Sequence, residues 1–454
     1  METYSRRLSA FLSETRPFAE RVGELSEETA VELYDMYDAA ANAAALHIHE
    51  LDTEIRMRLC AVRDEILERV IDFGPLLKQT PVKGGIYTPA VHNYRTWQNV
   101  ELMKDKGIAG YSLAKETNAR PVMYFGTKGA DYPYLSDLPG MELLFRNGEK
   151  GAEEDYYEHL HARHTDMDTL ILHGMYEQTL AYLNEYRRLR PDGKVYCGLD
   201  MNSHWMSRIP WGHPMVRQFA RQCDIVATSC RSLRDALNRN PEVGFSCRWF
   251  PNGFLNPTGI QIAADFARKE DVILAVGRIG TAEKNNEELL VAFANTSNAL
   301  PGWKVRLVGP IEPEFQSFIS QLFELRPDLK KRIILTGQIS NKAELYNEYA
   351  RAKIFAFTSP QEGGTPNVYA EALFHGCMFV TSDIDAADDV TNFGELGAKY
   401  KFGDFNALAD ALVILCSETQ KRSYQKHISK ALAYADKYYD WNRNAKKLAY
   451  MLYR

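Results

Sequence analysis

Paired cysteines, long apolar runs and an excess of basic charge are all missing from this 454-residue chain. Its seven cysteines are odd in number and no two stand at C-x-x-C spacing. That argues against a disulfide framework or a zinc ribbon and fits a reducing, cytoplasmic setting. No run reaches the ~18 apolar residues that a membrane span needs. The opening stretch METYSRRLSAFLSETRPF lacks an apolar core with a small-residue cleavage site, so no secretory leader is expected. A formal net charge of −6 argues against a broad nucleic-acid-binding face. No G-x-G-x-x-G follows a strand-like run, which argues against a nicotinamide-binding Rossmann domain. Internal repeats and low-complexity segments are also lacking.

What is present is a soluble globular composition, 45% hydrophobic and 25% charged, long enough for two or three domains. Residues 1 to about 75 read as helix. Ser26 suits an N-cap, with Glu27 and Glu28 at the positive end of the helix dipole. One helix from there to Phe73 would be unusually long, so two helices or a projecting coil are expected. This extension has two readings: a surface for oligomerisation or acceptor docking, and a helical cap on the first domain. His47 and His49, two apart, point to different helix faces and do not share a metal.

Beyond residue 80 short apolar runs alternate with helical stretches. Strands are expected at Pro121–Gly126, Met141–Phe145, Thr169–His173, Lys194–Leu199, Asp224–Ser229 and Arg248–Phe250. After a Pro/Gly/Asn cluster at 251–259, a second set follows at Val272–Gly277, Lys304–Gly309, Arg332–Gly337, Ile354–Ser359 and Met378–Ser382. Such alternation predicts βαβ units and parallel sheets, with ligands at the carboxyl ends of the strands. The expected division is a helical extension at 1–78, an α/β domain at 79–258, a second at 259–437 and a closing helix at 438–454.

The most informative stretch is SPQEGGTPNVYAEALFHG, from Ser359 to Gly376. A strand gives way to a glycine-containing loop. Thr365 then suits an N-cap, Pro366 the first helical position and Gly376 the terminator. Free N–H groups near Asn367 and Val368, with the helix dipole, favour a diphosphate. Gly363 and Gly364 let a ligand approach the backbone. Glu362 and Glu371 would repel phosphate, so they are expected to accept hydroxyls at the two ends of a nucleotide-sugar, a sugar near Glu362 and a ribose near Glu371.

A second motif, GRIGTAEKN from Gly277 to Asn285, joins the first strand of the second set to a helix. Arg278 and Lys284 lie in that turn and can reach one crevice, where two cations would stabilise a departing diphosphate.

Together these motifs resemble the GT-B-fold retaining glycosyltransferases, in particular glycosyltransferase family 4. The likeness is strong over about 270–400, plausible over 165–260 and weak before 120. It implies two Rossmann-like domains with parallel sheets facing across a cleft, here with an N-terminal helical extension. It also implies a hexosyltransferase that moves a sugar from a nucleotide-sugar to an acceptor hydroxyl with retention. No metal is expected, and UDP is favoured over GDP on family frequency.

In the family's terms Arg278 and Lys284 hold the diphosphate, Glu362 the transferred sugar and Glu371 the ribose, with the Ile339 backbone packing on the base. Eight residues separate the two glutamates, one more than usual, most simply a bulge at Gly363 or Gly364. His173, ending TLILH, matches a histidine that projects toward the donor sugar, with His204 as runner-up. The turn Gly126-Thr127-Lys128-Gly129 resembles a loop under the diphosphate or acceptor. The C-terminal helix, anchored by Trp441, resembles one that braces the first domain.

The acceptor is left open among glycan, lipid-linked and protein classes, and peripheral contact with the inner membrane face is common in the family. A rival reading takes Asp166-Met167-Asp168 or Asp383-Ile384-Asp385 as a D-x-D metal motif. Others are an epimerase or hydrolase on the same scaffold, and a non-catalytic nucleotide-sugar-binding protein.

Overall fold

The computed structural model describes residues 2–47, 52–74, 82–89, 101–125, 131–145, 152–256 and 266–454. His49 and the end of the 251–259 cluster lie outside them. The chain divides into two compact units, one of residues 1–251 with 441–454, the other of residues 252–440. No helix among the described residues is long and apolar enough to cross a membrane.

The first unit carries seven strands: β1 (Gly85–Pro89), β2 (Arg120–Phe125), β3 (Glu142–Phe145), β4 (Met167–His173), β5 (Lys194–Leu199), β6 (Ile225–Thr228) and β7 (Cys247–Trp249). They form one parallel sheet in the order β3-β2-β1-β4-β5-β6-β7. The second unit carries β8 (Glu270–Val276), β9 (Lys304–Val308), β10 (Ile333–Gly337), β11 (Ala352–Phe357), β12 (Met378–Ser382) and β13 (Gly397–Tyr400), in the order β10-β9-β8-β11-β12-β13, again all parallel. Both units are Rossmann-like, as the strand–helix alternation implies. Every expected strand is present within two residues of its expected bounds.

Two strands escaped the sequence reading. β1, GIYTP, carries a glycine and a proline but is buried along its whole length. β13, GAKY, is a short edge strand with two small residues. The first matters for function: Gly126–Gly129 follows the second strand of its sheet, not the first. Gly126, Lys128 and Gly129 themselves lie outside the described residues.

The N-terminal region resolves into three helices, Glu2–Ala19, Glu27–Leu46 and Thr53–Asp72. Ser26 caps the second, accepting from Thr29 N at 3.4 Å, and Asp52 caps the third, accepting from Glu54 N at 2.9 Å. Their apolar faces share a core of Leu12, Leu33, Tyr37, Leu59, Ile66 and Val70, which Tyr450 of the closing helix joins. Within the first unit that closing helix, Trp441–Tyr453, is held by Trp441, 2% exposed, whose ring lies 6.0 Å from Phe250. Asn444 Nδ2 donates to the Pro251 carbonyl at 3.1 Å.

Buried charge fixes the extension to the sheet, which favours the cap reading. Arg56 donates to the carbonyls of Val243 (2.8 Å) and Phe245 (2.7 Å). Asp64 accepts from Arg63 Nη2 at 3.0 Å and from Arg234 Nη1 at 3.1 Å, and both arginines are buried. Burial alone would raise the Asp64 carboxyl, but Arg63, Arg234 and Arg248 outweigh it and hold it below the ordinary carboxylate range. The resulting stabilisation is present above the unfolded value near 4 and is lost as pH falls through the lower native one. Asp64→Ala leaves two buried guanidinium groups without their shared carboxylate. It is expected to cost about 3–5 kcal/mol in urea unfolding at pH 7, and a loss below ~1 kcal/mol would refute the keystone role.

Candidate functional site

The order of the second sheet reverses between β8 and β11. In open parallel sheets the loops leaving two such strands part and form a crevice at their carboxyl ends. Both sequence motifs sit there: Gly277–Asn285 leaves β8, and Thr358–Pro366 leaves β11.

The β8 loop is held from one side by the loop after β9. Gly277 N donates to Val308 O at 3.0 Å, Ile279 N to Pro310 O at 2.8 Å and Glu312 N to Ile279 O at 2.9 Å. Gly309 (φ +147°) passes so close that a β-carbon there would lie 1.7 Å from Gly277 O. From the other side Thr358 Oγ1 donates to Lys284 O at 2.9 Å, tying the two crevice loops together. Asn285, in the left-handed region at φ 42°, then turns the chain into the helix Asn286–Thr296.

This framework aims Lys284 across the crevice. Its ammonium pairs with Glu362 and lies 5.3 Å from the centre of the Phe357 ring. Ser359 Oγ donates to the same Glu362 oxygen at 2.9 Å. Arg278 is more exposed and pairs with Glu283 in its own loop. The loop carrying Glu362 turns at Gly364, whose φ of +82° suits glycine, and Gly363 beside it is exposed.

The helix after this loop spans Asn367–Phe374, with Pro366 at the N-cap. Thr365 therefore lies one residue outside the cap position expected for it; its carbonyl accepts from Asn252 Nδ2 at 2.9 Å. Pro366, the N-cap residue, makes no side-chain capping bond, and Pro366, Asn367 and Val368 are only half-buried. First-turn N–H donors at a half-exposed helix start are an anion-binding feature. Gly376 (φ +69°) ends the helix.

Glu371, on the same helix, accepts from Tyr349 Oη at 2.6 Å and lies 3.8 Å from Lys342 Nζ. Its backbone carbonyl accepts from His375 Nδ1 at 2.6 Å. Burial pushes the His375 imidazole down to about 4, so it is neutral at pH 7. Ile339 lies in the turn after β10, at the same end of the sheet and partly buried. The sequence reading missed Phe357, Ser359, Tyr349, Lys342 and Asn252. Only Phe357 and Ser359 carried a local signal, as the last strand residue and the turn serine before Glu362.

In the first unit the strand order reverses between β1 and β4, and His173 ends β4. It is 7% exposed, and its Nδ1 lies 3.6 Å from Asp105 Oδ2 at the first residue of the helix Asp105–Thr117. Burial raises the Asp105 and Asp200 carboxyls, with Lys106 opposing in both. His204 is exposed on the short helix after β5, its ring 5.8 Å from that of Trp205.

The first D-x-D sits at the amino end of β4, away from the carboxyl ends where ligands bind. Asp166 accepts from Tyr87 Oη at 2.6 Å, and Asp168 from Gly84 N at 2.6 Å and Arg190 Nη2 at 2.7 Å. Asp383 of the second accepts from Phe402 N at 2.9 Å. Among the described residues no three His, Cys, Asp or Glu converge on a metal-sized space.

Residues 270–418 match the family model described as Glycosyl transferases group 1. The chain is 29% identical over 197 residues to the phosphatidyl-myo-inositol mannosyltransferase of Mycobacterium leprae. That match covers 42% of this chain and 49% of the relative, so the chain spans about half the length of the curated relative it matches. Among solved structures it is similar to sucrose-phosphate synthase from Thermosynechococcus elongatus, with a TM-score of 0.60, 17% identity, and 81% and 98% of the two chains covered. It is also similar to HepE of Anabaena in complex with UDP, with a TM-score of 0.57, 16% identity, and 81% and 98% covered. These likenesses identify the fold as GT-B.

The Gly277–Gly309 contact makes a direct test of this construction. Gly309→Ala should lower stability by about 1–3 kcal/mol or more, because a methyl group has no room against Gly277 O. A wild-type melting temperature would show that the β8 loop is not held there.

Proposed function

We propose that the protein is a retaining, metal-independent glycosyltransferase that moves a hexose from a nucleotide-sugar to an acceptor hydroxyl. The observation that carries this reading is the convergence of Lys284, Glu362 and the half-exposed start of the Asn367 helix at the switch point of the second sheet. The match of residues 270–418 to the group 1 glycosyltransferases supports it, as do the mannosyltransferase relative and the UDP-bound structural neighbour.

In this reading the donor diphosphate rests on the N–H groups of Asn367 and Val368, with Gly277, Gly363, Gly364 and Thr365 shaping the backbone around it. Arg278 and Lys284 neutralise it. Glu362 accepts hydroxyls of the transferred sugar, Glu371 those of the ribose, and the Ile339 backbone meets the base. The preferred base is uracil. As the bond from the anomeric carbon to the leaving phosphate breaks, charge builds on the diphosphate, and the two cations stabilise it where it forms. The acceptor oxygen bonds to the same face, and its proton passes to the departing phosphate. The two cations take the part a divalent ion plays in metal-dependent transfer, so activity should survive excess EDTA. His173, at the reversal point of the first sheet, is assigned to the reaction centre, and Gly126, Lys128, Gly129 and His204 to the acceptor side. The acceptor is a glycan, a lipid-linked glycan or a protein. Seven free cysteines support a cytoplasmic setting.

Removing one diphosphate-stabilising cation should cost roughly 2–4 kcal/mol of barrier. Arg278→Ala combined with Lys284→Ala should therefore abolish sugar transfer in a radiolabel assay with UDP- and GDP-hexoses, and a fully active double variant would refute the diphosphate role. His173→Ala should lower kcat about tenfold or more, ~1.4 kcal/mol. An unchanged kcat would return His173 to a packing role.

A further inference from the structure

The cations of the candidate site are each matched by a carboxylate. Lys284 holds Glu362, Arg278 holds Glu283, and Lys342 lies 3.8 Å from Glu371. The three pairs differ in shelter, and Lys342 and Glu371, at the far end of the site, are 17% and 13% exposed. The Arg278 and Glu283 side chains are 45% and 65% exposed, where an ion pair contributes little. Lys284 and Glu362 are only 21% and 22% exposed, and Ser359 and the Phe357 ring hold the pair in place. A diphosphate that takes Lys284 competes with Glu362 for its ammonium.

Resting on the donor-site reading above, we infer that Glu362 is an exchangeable counter-ion that makes the site favour the intact donor over the free nucleoside diphosphate. With the donor bound, Lys284 turns to the diphosphate, and the sugar hydroxyls replace the contacts Glu362 gives up. With the sugar gone, nothing replaces them. A free diphosphate carries one more negative charge than the donor, because its terminal oxygen no longer esterifies the sugar. Glu362 then lies uncompensated beside that charge, or returns to Lys284 and competes with the phosphate for it. Either outcome weakens the product. The cation that stabilises the leaving group would otherwise hold the product most tightly, and Glu362 offsets that trap. The role is separate from recognition of the transferred sugar because it acts on a ligand that lacks that sugar.

The test is calorimetric titration of the full chain with UDP, GDP and the corresponding UDP- and GDP-hexoses, for wild type, Glu362→Gln, Lys284→Met and the double variant. Glutamine keeps the hydrogen bonding and removes the charge. Glu362→Gln should bind the free nucleoside diphosphate about fivefold or more tightly than wild type while binding the sugar donor no better. The gain should be smaller but not absent in the Lys284→Met background, which removes the competition for Lys284 and leaves the repulsion. Wild-type or weaker diphosphate affinity in a Glu362→Gln variant that melts as wild type does would overturn the inference and leave the donor site standing. Should Glu362→Gln melt early, Glu362→Ala, which also removes the charge, takes its place, with the same gain expected and none contradicting the inference. No binding of any nucleotide to any variant would overturn the donor site along with it.

Discussion

The candidate site depends on one constraint, the tie between the two loops that part at the switch point of the second sheet. Thr358 reaches from the end of β11 to the carbonyl of Lys284, while the β9 loop holds the other flank of the same turn. The backbone of Lys284 is therefore fixed, and its side chain starts from a set point at the crevice. It faces Glu362 because β8 and β11 are hydrogen-bonded neighbours whose following loops diverge. The helix start at Asn367 lies on the chain that carries Glu362, a few residues on. A parallel sheet with this strand order thus brings a cation, a carboxylate and a helix start to one edge, and the glycines let the backbone pass closely enough to do it.

Much of this was legible in the sequence, and the exceptions have physical causes. The strands stand out because buried parallel strands are short unbroken apolar runs, as in VILAVG or MFVTS. The motifs of the second unit stand out because glycine, an N-terminal helix signal and paired charges occupy one turn. β1 did not, because GIYTP spends two of its five positions on residues that disfavour strands, and only long-range pairing with β2 and β4 secures it. The partners of Lys284 and Glu371 were illegible for another reason. The separations of 78 positions from Lys284 to Glu362 and of 22 from Tyr349 to Glu371 are closed by topology and not by local pattern. The placement of Thr365 one residue outside the N-cap reflects the ordinary uncertainty of helix starts.

The N-terminal helices show the same division between local and long-range information. The cap of the second, Ser26, follows from local sequence, as that of the third, Asp52, could have. Their role does not, because it rests on Arg56, Arg63 and Asp64 meeting groups near residues 234–248. A buried ion network is a weak source of net stability but a strong specifier of register. It commits this helical region to the first unit. It leaves the second unit, with the donor-binding motifs, to fold around its own apolar core of Ile273, Leu289, Phe293, Val305, Leu307 and Ile354.

The central claim is that a diphosphate occupies the start of the Asn367 helix. A crystal structure of the protein soaked with a nucleoside diphosphate tests it most directly. The account predicts phosphate density within hydrogen-bond reach of the Asn367 and Val368 N–H groups, with Lys284 turned from Glu362 toward it. Nucleotide bound elsewhere, with the Lys284–Glu362 pair intact and the helix start empty, would contradict it.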